Sequence, residues 1–302
     1  MKVRAETKAL DGPLPGGRDG ATVVVEPILT GTMACPRAFL EGEARLPTLR
    51  MLGIGTPRSK WLKIPVPAYL IRHPTAGPFL IDTGLHASVA SKPVENLGRI
   101  FGGKRSDPII EPGEDLPAQL RGRGVDPKGL RLVVMTHLHF DHTSGMSQFP
   151  GAAFVIAEDE WDAASTDSRP VLRGYRPSHF DYAFDYRTVS YDSASVSSYA
   201  TFGRTFDLFG DGSVRLASTP GHSAGHQSVI CHLRDRDLVI AGDAIYTIGQ
   251  LDDAPEPPRP VDRHNWRRSM RELRQFASTY PQAVILPGHD PEHWETVAKR
   301  YE

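Results

Sequence analysis

Three features predict a layered α/β fold: four short apolar runs that each break into a polar loop, a helical periodicity ahead of the last run, and a composition able to fill one large core. The first run, Phe79-Leu80-Ile81, passes into Asp82-Thr83-Gly84, and the second, Leu132-Val133-Val134-Met135, passes into Thr136-His137. The third, Leu238-Val239-Ile240-Ala241, meets Gly242-Asp243, and the fourth, Ala283-Val284-Ile285-Leu286, meets Pro287-Gly288-His289-Asp290. Runs of this length suit buried strands, and Gly, Pro, Asp or His ends each one. Between the last two, Trp266, Met270, Leu273, Ala277 and Tyr280 recur at helical spacing behind Asp262, a residue suited to capping the first turn, and Pro281 closes the segment. Strands alternating with such helices present functional groups on loops at one edge of a sheet.

The rest of the chain narrows the function classes. Residues 1–20 mix charge with Gly and Pro and lack the apolar core of a secretory signal, so a flexible tail and a cytoplasmic location are expected, with 21–302 forming a single domain. No apolar stretch is long enough to span a bilayer as a helix. A formal net charge of -1 gives no basic field to gather nucleic acid or an anionic membrane surface. Cys35 and Cys231 stand far apart, outside any CxxC pair, and are expected as inert buried thiols. Two segments, Arg169 to Tyr199 and Leu251 to Val261, fit no regular pattern and are expected as loops beside the site or as surface insertions.

The chemistry concentrates in His137-Leu138-His139-Phe140-Asp141-His142, where three imidazoles and a carboxylate directly follow a strand. Neutral imidazole and carboxylate oxygen are good ligands for zinc and similar divalent ions. A turn here can aim His137 and His139 at one ion and Asp141 and His142 at another. His222, in Thr219-Pro220-Gly221-His222, Asp243 and His289 stand at other strand ends or Gly-Pro turns and complete a two-metal set, with Asp243 suited to bridge.

In this order, His-x-His-x-Asp-His, then His, Asp and His, the chain resembles the metallo-β-lactamase superfamily from about Thr22 onward. The resemblance implies an αβ/βα sandwich: two mixed β-sheets flanked by helices, with two metals between the sheet ends. It assigns His137, His139 and His222 to the first metal, Asp141, His142 and His289 to the second, and Asp243 to both, with Asp82 supporting the ligands from behind. Zinc is the expected metal, and iron, cobalt or manganese accept the same ligands. No cysteine replaces a ligand, which argues against penicillin-type hydrolysis.

The flanking residues, Thr219 to Ser228, Asp243-Ala244-Ile245-Tyr246-Thr247 and Gly288-His289-Asp290, resemble the N-acyl-homoserine lactonases. In that family a tyrosine three positions after the bridging aspartate points at the substrate carbonyl, and Tyr246 holds that position. The implied reaction is ring opening by hydroxide formed between two metals, with Tyr246 stabilising the carbonyl oxygen and Asp141 orienting the nucleophile and moving a proton to the leaving alkoxide. The partner is a small lactone or ester, with neither nucleic acid nor membrane, and a homodimer is left open. Met33, Trp61, Leu62, Phe180, Tyr182 and Phe184 are candidates for an acyl groove, and His226 is expected to make a supporting hydrogen bond. His73, His86, His179, His232, His264 and His293 match no ligand position and are expected to be structural or at the surface. The same site also fits a glyoxalase-II-like thioesterase or a phosphotriesterase, and less well a non-hydrolytic metal or redox protein.

Overall fold

A computed structural model describes residues 3–41, 47–103, 106–252 and 260–302. The strands are β1 (Thr7–Ala9), β2 (Val24–Cys35), β3 (Leu62–His73), β4 (Gly77–Ile81), β5 (Leu132–Val134), β6 (Ala153–Ala157), β7 (Asp185–Val189), β8 (Val196–Tyr199), β9 (Phe202–Asp207), β10 (Val214–Ser218), β11 (Gln227–His232), β12 (Asp237–Gly242) and β13 (Val284–Pro287). The helices are α1 (Arg37–Glu41), α2 (Pro47–Met51), α3 (Pro93–Phe101), α4 (Leu116–Gly122), α5 (Phe140–Thr143), α6 (Glu158–Thr166), α7 (Arg263–Thr279) and α8 (Pro291–Trp294). One sheet has the order β1-β7-β6-β5-β4-β3-β2, and the other β13-β12-β11-β10-β9-β8. Both are mixed: β4 pairs with β5 in parallel but with β3 antiparallel, and β12 pairs with β13 in parallel but with β11 antiparallel.

Alternation along the strands builds the layers, because successive side chains leave a strand on opposite faces. Phe79, Ile81 and Val134 of the first sheet meet Val229, Leu238, Ile240 and Leu286 of the second in a core between the sheets. Their neighbours Leu80 and Val133 point the other way, onto Leu116 and Leu120 of α4 and Trp161 of α6. Val239 and Ile285 likewise turn outward onto Trp266, Met270, Leu273 and Phe276 of α7. The result is the expected αβ/βα sandwich. α7 starts where the periodicity placed it, with the Asp262 carboxylate accepting from the Asn265 N–H at 3.0 Å.

Two expectations are corrected. Residues 3–20 are not simply a tail: β1 pairs in parallel with β7, and Val3 and Leu10 are buried. The polar composition hid this because a three-residue edge strand needs few apolar side chains. The Arg169–Tyr199 segment supplies β7, inside the first sheet, and β8 at the rim of the second. Of the Leu251–Val261 segment, residues 253–259 lie outside the described residues. Among the described residues no helix is long and apolar enough to cross a membrane.

Candidate metal centre

Strand direction brings the polar loops together. β4, β5, β12 and β13 deliver Asp82, His137, Asp243 and His289 at their C-terminal ends, and the loop between β10 and β11 adds His222. Tight packing fixes these loops. Gly242 takes φ of 53°, and a Cβ there would stand 2.8 Å from His226 Nε2. The N–H of His289 donates to the Tyr246 carbonyl at 3.0 Å, tying the last two loops together.

All seven expected ligands converge, in two groups. One ligand atom from each of His137, His139, His222 and Asp243 lies within 4.8 Å of the others, and the same holds for Asp141, His142 and His289. Asp243 faces both groups: Oδ2 lies 3.3 Å from His222 Nε2, while Oδ1 lies 3.4 Å from His142 Nε2 and 3.3 Å from His289 Nε2. His142 Nε2 and Asp243 Oδ1 are buried without a hydrogen-bond partner. Buried polar atoms are rarely left unsatisfied, so a pair aimed at one point fits a cation between them.

The far nitrogens of three of the rings are held. His142 Nδ1 lies 2.7 Å from Asp82 Oδ2, His289 Nδ1 is 2.8 Å from the Pro65 carbonyl, and His137 Nδ1 is 3.1 Å from Thr136 Oγ1. Such partners fix the tautomer that leaves the inward nitrogen free to ligate. Asp82 also accepts from the Thr136 N–H and hydroxyl. His226 does not ligate: its Nε2 accepts from the Asp243 N–H at 3.0 Å, and burial pushes its pKa down to about 3.

The two groups differ electrostatically. Burial, together with neighbouring imidazoles, holds His137 well below the ordinary histidine range, and burial also holds His222 there, so both rings are neutral. Burial opposes charge on His142 too, yet Asp82, Asp243 and Asp141 raise it well above that range. His289 is pushed up to about 10 against burial, by Asp243 and Asp141. An ion held at this second group would displace protons from these rings.

Tyr246 is buried, stacks on Phe39 with ring centroids 5.5 Å apart, and places its hydroxyl 3.0 Å from His222 Nδ1. The hydroxyl thus meets the ring of an expected ligand as well as facing the site. Tyr246 also belongs to an apolar wall with Met33, Leu40, Ile64, Leu85 and Phe140, with Phe39, Leu62 and Phe101 packed against it. Two groove candidates, Met33 and Leu62, belong here. Phe180 and Phe184 do not, since they pack into the core beneath the first sheet; Tyr182 stacks on Phe184, and Trp61 packs beside Gly53 and Arg58. Pattern reasoning also passed over Glu160, which is buried at the start of α6 and accepts from the Leu138 and Gly225 N–H groups. An acid in a first helical turn is too common to signal anything by itself.

Comparison with known proteins gives this arrangement a family. The sequence profile of the metallo-beta-lactamase superfamily matches residues 63–289. The N-acyl homoserine lactonase AttM of Agrobacterium fabrum is 30% identical over 244 residues, covering 80% of this chain and 87% of that protein. The lactonase AiiA of Bacillus thuringiensis subsp. kurstaki is 29% identical over 241 residues, 77% of this chain and 84% of its own. Among solved structures, an N-acyl homoserine lactone hydrolase with N-hexanoyl-L-homoserine at its catalytic metal centre superposes with a TM-score of 0.72 at 21% identity, covering 94% of this chain and 98% of that one. The dizinc quorum-quenching lactonase AidC gives a TM-score of 0.60 at 17% identity, covering 94% and 92%. The chain belongs to the metallo-β-lactamase superfamily and, within it, to the N-acyl homoserine lactonase family.

Proposed function

We propose that this protein opens the lactone ring of N-acyl homoserine lactones, with His137, His139 and His222 holding one divalent ion, Asp141, His142 and His289 a second, and Asp243 both. The observation that carries the reading is Asp243, whose two oxygens face the two groups from opposite sides, beside a tyrosine on an apolar wall. Zinc is the proposed metal, because every donor is an imidazole nitrogen or a carboxylate oxygen. Such a pair of ions lowers the pKa of a held water from about 15.7 to about 7.

The protein's own groups supply the remaining chemistry. With Nε2 of His222 turned inward, its Nδ1–H donates to the Tyr246 oxygen, leaving the phenol proton for the lactone carbonyl oxygen. Burial, reinforced by Asp243 and Asp141, raises the Tyr246 pKa well above its ordinary value, so the phenol remains a donor. Despite burial, His142 and His289 hold Asp141 below the usual carboxylate range. Asp141 is therefore ionised, and as a carboxylate it is placed to take the proton of the attacking water transiently and return it to the ring oxygen as the C–O bond breaks, giving the acyl-homoserine. Met33 and Phe140, which keep slight exposure in this cluster, are the proposed contacts of the acyl chain. A cytoplasmic location belongs to the same proposal, supported by two buried free cysteines.

The test is hydrolysis of acyl-homoserine lactones of several chain lengths, a thioester and a phosphotriester, with metal content measured on the same sample. Lactone turnover should dominate. Protein carrying two ions that leaves every lactone intact would overturn the proposal.

A further inference from the structure

We propose that Glu160 is the positioning residue of the three-histidine group, a carboxylate that holds the two ligand-bearing loops at the separation one ion requires. Glu160 is fully buried in the first turn of α6. Its Oε1 accepts from the Leu138 N–H at 2.9 Å, and its Oε2 accepts from the Gly225 N–H, also at 2.9 Å. Leu138 is the residue between His137 and His139, so fixing its peptide sets the backbone under both rings. Gly225 lies three residues after His222 in the loop that carries it. One side chain therefore bridges the two loops whose histidines must meet.

Two further observations support the clamp. Tyr175, which neighbours the same carboxylate, bridges the backbone of His139 and packs its ring on that imidazole with centroids 5.2 Å apart. Gly225 is pressed against α6 so closely that a Cβ would lie 2.2 Å from the Glu160 nitrogen. The loop reaches the carboxylate only because no side chain intervenes. The Asp141, His142 and His289 group has different supports, Asp82 and the Pro65 carbonyl. Loss of Glu160 should thus affect one ion and spare the other.

The inference rests on the ligand assignment proposed above, and the experiment separates the two. Metal-stripped protein is titrated with zinc against a chromophoric chelator. The His289→Ala background keeps the three-histidine group, and the His222→Ala background keeps the other. Glutamine retains the size of Glu160 but has one acceptor oxygen, so one loop N–H is left facing an NH2. Partners behind metal ligands typically contribute about 10–100-fold in affinity. Glu160→Gln should weaken zinc binding by about that factor in the His289→Ala background and by less than about threefold in the His222→Ala background. In the metal-free protein, amide exchange at Leu138 or Gly225 should also accelerate. An equal loss in both backgrounds, or none in either, overturns the assignment. If Glu160→Gln does not fold, Glu160→Asp carries the test, because it keeps the charge but is one methylene too short to meet both loop N–H groups: a selective loss of about threefold or more supports the clamp, and unchanged affinity overturns it. A parent protein that binds no zinc overturns the metal centre and this inference together, whereas a parent binding two ions beside an unaffected variant overturns only the role of Glu160.

Discussion

Asp82→Asn tests how tautomer control governs ion binding. Asp82 adopts φ of 57°, a left-handed conformation that asparagine tolerates, so the backbone can persist. Asp82 Oδ1 accepts from the Thr136 N–H at 2.8 Å, and Oδ2 lies 2.7 Å from both Thr136 Oγ1 and His142 Nδ1. In the variant the amide oxygen keeps the Thr136 N–H, which turns the NH2 toward His142. Nδ1 must then accept, and the ring proton moves to Nε2, the atom aimed at Asp243 Oδ1 from 3.4 Å. A protonated nitrogen cannot ligate. Hydrogen bonds to charged groups contribute about 1.5–3 kcal/mol, which corresponds to a loss of about 10–100-fold in affinity. Calorimetric zinc titration of metal-stripped parent and variant should show this loss in the ion held by His142, with circular dichroism confirming the fold. A folded variant whose two affinities stay within about threefold of the parent would refute the reasoning.

Tyr246→Phe removes the proposed oxyanion donor and should lower kcat for lactone hydrolysis by about 10²-fold with little change in KM; steady-state kinetics at full metal occupancy decide this. Gly221→Ala should cost about 2 kcal/mol or more, because φ is 132° and the new Cβ would lie 2.3 Å from the Trp266 backbone; thermal melts would reveal it as a fall in Tm. His179 is buried between Thr143 and the Asn96 carbonyl, and burial pushes its pKa down to about 4 from 6.5. Below pH 6.5 the unfolded chain takes up a proton that folded His179 refuses, so stability should fall as pH drops from 6.5 to about 4 and level off beneath. The total loss across that window amounts to about 3–4 kcal/mol at most, and His179→Gln should remove it from melts recorded there.

The residues of the proposed metal centre were legible in the sequence because they are dense, chemically specific and placed directly after apolar runs. His137 to His142 needs no tertiary information to suggest a metal, and the strand-then-loop rhythm locates Asp82, Asp243 and His289. What stayed hidden depends on long-range packing. Phe180 and Phe184 have the composition of a substrate wall, yet tertiary packing commits them to the core under the first sheet. Phe101 gave no pattern signal and becomes part of the wall's surroundings by stacking on Phe140 at 3.9 Å. β7 was missed because its Asp185, Arg187 and Thr188 lack the apolar look of an inner strand. Hydrogen bonding to β6 and β1 on either side overrides that composition.

The seven-stranded sheet leaves little open backbone at either side. At one border the final strand, β1, has only three residues, and at the other Val25 and Thr32 of β2 bridge to Tyr301 and Ile109. Exposed strand edges are where chains add to one another, and short or covered edges discourage it. Should two copies of this protein associate, the sheet offers poor purchase for continuing from one molecule into the next. Contact through side-chain surfaces is the route the architecture favours, and the same feature lowers the hazard of runaway edge-to-edge aggregation at high concentration.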